Sequence, residues 1–295
     1  MLQEITVARI KNSLKVRAKN KLARIGWVRT LSSIGYRPRH NVQSELFPNA
    51  DPTEILRSLN QDGIWQGFKL PQIILDEILD YTRRMPTYGN RDPNLGFYVK
   101  DIDAVQKKTG LNFTLASYFN TLGQCSAIQQ VAQDLVLNEV ARRYIGPRAR
   151  HLGTNIWWSY ANDSLGFKER NEFAQLFHYD LDDYKFIKFF FYLTDVDEES
   201  GPHVYVRGSH KKKPLSHLYP MRRLQDFEVE SSYPKSDILT LTGKAGDGFV
   251  EDTFAIHKGA APARKNRLLL QLYYATSLGY TDDRCDPEKL KMIEL

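Results

Sequence analysis

A chain of 295 residues can bury a substantial core, and its 42% hydrophobic and 26% charged residues are typical of a globular protein rather than a disordered one. No apolar run approaches the ~20 residues that a membrane-spanning helix needs, so we expect no transmembrane segment. The only two cysteines, Cys125 and Cys285, argue against a disulfide-stabilised secreted protein and exclude a thiolate cluster as a metal site.

The positive charge is concentrated at the amino terminus. Residues 1–40 carry ten Lys or Arg and one acid, a net charge of +9, whereas the whole chain carries +6. The remaining residues therefore carry about −3, which argues against nucleic acid as a partner of the catalytic body. We predict a basic extension over residues 1–45 and a single catalytic domain over residues 46–295.

The extension has the pattern of a basic amphipathic helix. Ile10, Leu14, Ala18 and Leu22 recur every four residues, with lysines beside them. Such a helix could contact an anionic membrane surface or a protein partner, and a helix packed on the domain is an equal alternative. We expect a cytoplasmic protein, with membrane association through this segment as an alternative, or an organellar one if residues 1–40 are a transit peptide.

The first half of the domain is predicted to be mainly helical. Asp51 and Pro52 begin a short helix that runs to about Leu59. A second helix begins at Pro71. A third is predicted over Ile128–Tyr144, where apolar residues recur at helical spacing before a Gly-Pro pair.

From Thr154 onward the pattern becomes that of strands. Short segments rich in β-branched and aromatic residues alternate with Gly, Asp and Pro turns. The predicted strands are 155–160, 174–178, 187–194, 238–242, 248–250 and 268–275, after an earlier one at 63–65. Many short strands without intervening helices favour a sandwich or barrel over a parallel sheet. We predict an α+β, mainly β fold with N-terminal helices packed on a core at about residues 153–276.

Two histidines and one acid stand out by their positions. His178 and Asp180 are two residues apart, so both side chains can lie on one face of a strand or its exit. His257 lies 77 residues after Asp180, at the end of residues 248–256, which read as one further strand. Two imidazoles and one carboxylate can hold a metal ion and leave three positions open. Asp182 and Asp183 are competing candidates for the carboxylate.

Arg267 stands ten residues after His257, at the start of a predicted strand. A guanidinium can hold the distal carboxylate of 2-oxoglutarate with two parallel hydrogen bonds while the keto acid end chelates iron. Arg264 is an alternative, but its place in a turn favours exposure to solvent. A zinc hydrolase could use a similar set of three ligands. A nearby arginine suited to 2-oxoglutarate therefore favours an iron-dependent oxygenase over such a hydrolase.

In chain order, these positions resemble the phytanoyl-CoA dioxygenase family. The landmarks, over roughly residues 50–276, are His178-x-Asp180, the segment 193–202, Gly208-Ser209-His210-Lys211, Gly246-Asp247, His257 and Arg267. The resemblance implies a double-stranded β-helix (jelly-roll, cupin-like) core. It also implies that His178, Asp180 and His257 are the catalytic iron ligands and that Arg267 binds 2-oxoglutarate. Asn155 and Gln175 are candidates for further 2-oxoglutarate contacts.

The activity that this resemblance implies is that of a non-haem dioxygenase using Fe(II), 2-oxoglutarate and O₂. Such an enzyme hydroxylates an unactivated C–H bond of a small-molecule or lipid-like substrate and releases succinate and CO₂. Asp180 argues against a halogenase, in which a halide takes the place of the carboxylate, while desaturation and cyclisation stay open. Two other classes also stay open, a metal-dependent cupin hydrolase or isomerase and a non-catalytic jelly-roll binding module.

Other conspicuous residues have less specific interpretations. His203 and His210 lie in a turn segment, where a structural or substrate-lining role is expected rather than metal binding. Trp157 and Trp158 are predicted to pack in the core, with a wall of a substrate pocket as the alternative. Arg207 departs from the family pattern, in which proline commonly precedes the Gly-Ser-His turn.

Overall fold

The computed structural model describes Arg29 and residues 36–39, 42–161, 174–219, 222–277 and 283–295. The amphipathic helix predicted over residues 10–22 lies outside these ranges. Among the described residues, no helix is both long and apolar enough to cross a membrane.

Most of the helices precede the main run of strands. The α-helices of the described residues are α1 (Pro52–Gln61), α2 (Gln72–Arg84), α3 (Ile102–Thr109), α4 (Thr121–Gln124), α5 (Ser126–Gln133), α6 (Leu135–Ile145), α7 (Leu215–Leu218) and α8 (Asp226–Ser232). As predicted, Asp51 caps α1, because its side chain accepts a hydrogen bond from the Thr53 amide. The apolar faces of α1, α2, α5 and α6 join one large core cluster.

The single helix predicted over Ile128–Tyr144 is wrong, because the chain forms two helices that meet at Asp134. Asp134 has an extended backbone with ψ of 137°, and its carboxylate accepts hydrogen bonds from the Val136 and Leu137 amides. It therefore ends α5 and caps α6. Both helices still bury their apolar faces in the same cluster, so the apolar spacing predicted the buried face correctly on both sides of Asp134.

The strands pair antiparallel in two sheets. In chain order they are β1 (Ile64–Lys69), β2 (Thr87–Gly89), β3 (Gly96–Phe97), β4 (Leu115–Ser117), β5 (Arg150–Ser159), β6 (Ile187–Tyr192), β7 (His203–Val206), β8 (Ile238–Leu241), β9 (Asp247–Glu251), β10 (His257–Gly259) and β11 (Arg267–Ala275). Within the described ranges, the larger sheet has the order β1-β9-β6-β11-β5-β4-β2-β3 and the smaller β10-β7-β8. The prediction of a mainly helical first half missed β2, β3 and β4.

The larger sheet separates two layers of core. Alternate residues of a strand point to opposite faces. On β6, Phe189 and Phe191 pack with the helices, whereas Phe190 and Tyr192 pack with Tyr205 of the smaller sheet. Two antiparallel sheets with helices on the outer face are consistent with the predicted jelly-roll core. The candidate site lies on the inner face, between the sheets.

Candidate metal centre

His178 and His257 are brought together by direct backbone pairing. Each amide donates to the other residue's carbonyl, at 2.9 and 2.8 Å. The strand predicted over residues 174–178 is wrong, because Ala174 has a φ of 58° and the segment forms isolated bridges instead. The bridge nevertheless places the two imidazoles side by side, with ring centroids 4.3 Å apart.

The segment that leads to His257 changes sheets. Residues 248–256 were predicted as one strand, which is wrong: β9 ends at Glu251 in the larger sheet, and His257 begins β10 in the smaller one. Asp252 shapes the intervening turn, since its carboxylate accepts a hydrogen bond from the Phe254 amide and its carbonyl accepts one from the Ala255 amide. This crossing carries His257 to the space between the sheets.

The two imidazoles and the Asp180 carboxylate form a compact cluster. Nε2 of His178 lies 3.8 Å from Oδ1 of Asp180, and Nε2 of His257 lies 3.8 Å from Oδ2. One ligand atom from each residue lies within 4.8 Å of the other two. Small side-chain adjustments would let one ion bind all three atoms at about 2.0–2.2 Å.

Both histidines are held in the tautomer that binds metal through Nε2. Nδ1 of His178 lies 2.9 Å from the Leu176 carbonyl, and Nδ1 of His257 lies 2.9 Å from the Ala255 carbonyl. A carbonyl can only accept, so each Nδ1 carries the proton and each Nε2 presents a lone pair. Burial lowers the pKa of both imidazoles, and the neighbouring His257 lowers that of His178 further. Both rings are therefore neutral at pH 7, as metal ligands must be.

A buried lysine accompanies the carboxylate. Nζ of Lys188, on the inner face of β6, donates to Oδ2 of Asp180 at 2.7 Å and lies 3.0 Å from Oδ2 of Asp182. Burial raises the pKa of Asp180, but the Lys188 cation and its hydrogen bond act in the opposite direction, and that pKa lies well below its usual value. Sequence analysis missed Lys188. A lysine inside the otherwise apolar strand Ile187–Tyr192 was the signal that could have found it.

A cavity of about 230 Å³ contains the cluster and also Arg267 and Gln175. Asn155 is not among the described residues that line this cavity, but on β5 it lies opposite Gln271 of β11, which does line it. Phe190, Leu269 and Trp157 supply apolar parts of the wall. Trp157 thus borders the cavity, whereas Trp158 packs with the outer core.

Arg267 is buried, with 3% of its surface exposed. Its guanidinium donates to the Gly201 carbonyl and, at 3.3 Å, to the Ser159 hydroxyl, but it forms no ion pair within the described part of the chain. The buried Nε of Arg267 and Oε1 of Gln175 lack hydrogen-bond partners among the described residues. Arg264 is exposed and pairs with Glu199. A buried cation with a donor to spare is suited to binding a carboxylate.

A buried glutamate and a third histidine lie next to His257. Nε2 of His203 is 3.0 Å from Oε2 of Glu251, and the His203 ring stacks on His257 with centroids 5.5 Å apart. Burial raises the pKa of Glu251 to about 8 and lowers that of His203 to about 3. At neutral pH, a protonated Glu251 can therefore donate to a neutral His203.

The fold and the cluster define an antiparallel α+β protein with a candidate mononuclear metal centre between its sheets. The model of the phytanoyl-CoA dioxygenase (PhyH) family matches residues 116–264. The chain belongs to this family, as its landmark residues predicted. A search of curated protein sequences gave no match.

Solved structures that share the fold include two with metal and co-substrate bound. HygX from Streptomyces hygroscopicus, with nickel and 2-oxoglutarate bound, has a TM-score of 0.51 and 16% identity, covering 79% of this chain and 90% of its own. The epimerase SnoN from nogalamycin biosynthesis, in complex with Fe³⁺, alpha ketoglutarate and nogalamycin RO, has a TM-score of 0.50 and 15% identity, covering 76% and 83%. At such low identity the likeness concerns the fold alone.

Proposed function

We propose that the protein is a non-haem Fe(II) and 2-oxoglutarate-dependent dioxygenase that hydroxylates a C–H bond of a small-molecule or lipid-like substrate. The observation that carries the proposal is the meeting of His178, Asp180 and His257 in the same cavity as the buried Arg267. The metal and 2-oxoglutarate bound to HygX, and the Fe³⁺ and alpha ketoglutarate bound to SnoN, support the same pairing here.

The residues present fit the iron and its co-substrate. His178, His257 and Asp180 offer the mixed imidazole and carboxylate set that suits Fe(II) and leaves positions for two further ligands. Arg267 would hold the distal carboxylate of 2-oxoglutarate, and its unpartnered Nε leaves it a donor to spare. When bound, Fe(II) with 2-oxoglutarate and O₂ supplies the oxidising chemistry and releases succinate and CO₂.

The remaining residues prepare this site rather than react. Lys188 keeps Asp180 ionised, and the two backbone carbonyls keep each Nε2 free of a proton. Phe190 and Leu269 line the cavity and limit the access of water, which protects a reactive site from side reactions.

The experiment is an anaerobic titration of the metal-free protein with Fe(II) and then 2-oxoglutarate, followed by visible absorption. We expect a weak charge-transfer band in the wild-type protein and none in Asp180→Ala. Arg267→Gln should form the band only at higher 2-oxoglutarate concentration, whereas the matched surface variant Arg264→Gln should behave as wild type. Admitting O₂ should then yield succinate.

The outcomes separate the proposed function from its alternatives. Iron binding without a 2-oxoglutarate-dependent band would favour a cupin hydrolase or isomerase. Absence of iron binding would favour a non-catalytic binding module. With a band present, a gain of one oxygen atom in a component of a cell extract would support hydroxylation, and a loss of two hydrogens would indicate desaturation or ring formation.

A further inference from the structure

The N-terminal segment places one charged side chain deep in the domain. Arg29 is 6% exposed, and its Nη2 donates to both carboxylate oxygens of Asp252, at 2.8 and 2.7 Å. The guanidinium carbon also lies 4.1 Å from the centroid of the Phe254 ring. Arg29 thus contacts two residues of the turn between β9 and β10.

Asp252 is the centre of this contact and is 1% exposed. Besides Arg29, it accepts hydrogen bonds from the Tyr144 hydroxyl at 2.8 Å and from the Phe254 amide at 3.0 Å. A carboxylate removed from water to this extent needs a counter-charge to remain ionised. Arg29 supplies one from a point 223 residues earlier in the chain.

The turn that Asp252 organises also holds two of the candidate metal ligands. We call residues 252–256 the ligand turn. The carbonyl of Thr253 accepts the Asp180 amide at 2.8 Å, and the carbonyl of Ala255 accepts Nδ1–H of His257 at 2.9 Å. A shift of the ligand turn would therefore move the Asp180 backbone and free the His257 ring to rotate.

We propose that Arg29 is a positioning residue of the metal site, acting through Asp252 to hold the ligand turn in the shape that presents Asp180 and His257. This inference rests on the proposed function. It makes at least this part of the basic N-terminal segment a component of the catalytic unit. Removing a group that orients metal ligands without binding the metal itself typically weakens metal binding ~10–100-fold.

The test uses the full-length chain and Co(II) as the probe, with affinity measured by calorimetry. Arg29→Met should weaken Co(II) binding ~10-fold or more. Arg29→Lys should recover part of the affinity, because it keeps the charge but not the guanidinium geometry. The matched control is Arg37→Met, which removes an exposed arginine of the same segment and should bind Co(II) as wild type does.

A second background tests whether Arg29 acts through Asp252. In Asp252→Asn the turn no longer contains a buried charge, so adding Arg29→Met should change Co(II) affinity less than ~3-fold. An equal effect of Arg29→Met in both backgrounds would overturn the proposal, as would full Co(II) affinity in folded Arg29→Met. If Arg29→Met fails to fold, Arg29→Lys takes its place in the same comparison, and an equal loss of Co(II) affinity in both backgrounds would overturn the proposal.

Amide hydrogen exchange supplies a readout that does not depend on metal. Arg29→Met should accelerate exchange at Phe254, Ala255 and Ile256, whose amides are hydrogen-bonded in and around the ligand turn. Uniform acceleration over the whole domain would mean that Arg29 only stabilises the fold, and would overturn the proposal. If wild-type protein binds no Co(II), the proposed function fails. Amide hydrogen exchange at residues 254–256 still tests whether Arg29 stabilises the ligand turn.

Discussion

Replacing Lys188 with methionine tests whether this buried lysine compensates the charge of Asp180 in the metal-free protein. The substitution keeps a long side chain in the core but removes the cation 2.7 Å from Asp180. Breaking a buried ion pair by deleting one partner costs about 3–5 kcal/mol. The side chains of Asp180 and Asp182 are 20% and 21% exposed, so water offsets part of that cost. We expect metal-free Lys188→Met to lose about 2–3 kcal/mol of unfolding free energy.

Bound metal should reverse most of this loss. A divalent ion supplies the positive charge that Asp180 has lost, so the destabilisation should fall to about 1 kcal/mol with Co(II) bound. The difference of more than ~1 kcal/mol implies Co(II) binding that is ~10-fold tighter than in wild type. Removing a cation that repels the metal acts in the same direction.

The assay is urea unfolding with and without saturating Co(II), together with calorimetric titration of Co(II). Lys69→Met is the control, because Lys69 pairs with Asp247 on the surface and its loss should cost less than ~1 kcal/mol in both states. Equal destabilisation of Lys188→Met with and without Co(II), or weaker Co(II) binding, would refute this account of Lys188.

Three further predictions concern Arg267, Gly201 and His210. Arg267→Lys should raise the KM for 2-oxoglutarate ~10–100-fold in steady-state assays because the paired donors are lost, while Arg264→Lys leaves it unchanged. Gly201→Ala should lower the free energy of unfolding by about 1–3 kcal/mol more than Gly110→Ala in urea. Both glycines have a φ of 71°, but a Cβ at Gly201 would lie 2.5 Å from a carbonyl oxygen, whereas one at Gly110 meets nothing within 4 Å. Burial lowers the pKa of His210 from 6.5 to about 4, so its neutral form contributes stability above pH 6.5 that is lost as the pH falls towards 4. At about 1.4 kcal/mol per pH unit this reaches about 3 kcal/mol. Urea unfolding of His210→Gln over that range should show a correspondingly shallower decline, and an unchanged slope would contradict the assignment.

Local chemistry made much of this molecule predictable. The apolar and aromatic composition of residues 187–194 and 268–275 predicted β6 and β11, and a capping acid before proline predicted the start of α1. The ordered landmarks from His178 to Arg267 indicated the family, which the match over residues 116–264 confirmed.

The errors lie where distant partners decide the structure. His178 sits at an isolated bridge because it pairs with His257, which no local pattern reveals. The chain changes sheets at the ligand turn, where Asp252 binds Arg29 from far upstream, a contact that no local pattern reveals. Lys188 is a charge in an apolar strand, and its meaning depends on Asp180 lying opposite it. Buried charges acquire their roles from tertiary contacts, which sequence periodicity does not encode.

The most direct test of the central claim is a crystal structure of the protein grown without O₂ in the presence of Fe(II) and 2-oxoglutarate. We expect one iron ion bound by Nε2 of His178, Nε2 of His257 and the Asp180 carboxylate, with the distal carboxylate of 2-oxoglutarate on Arg267. Iron bound by other residues, or 2-oxoglutarate held away from Arg267, would contradict the account.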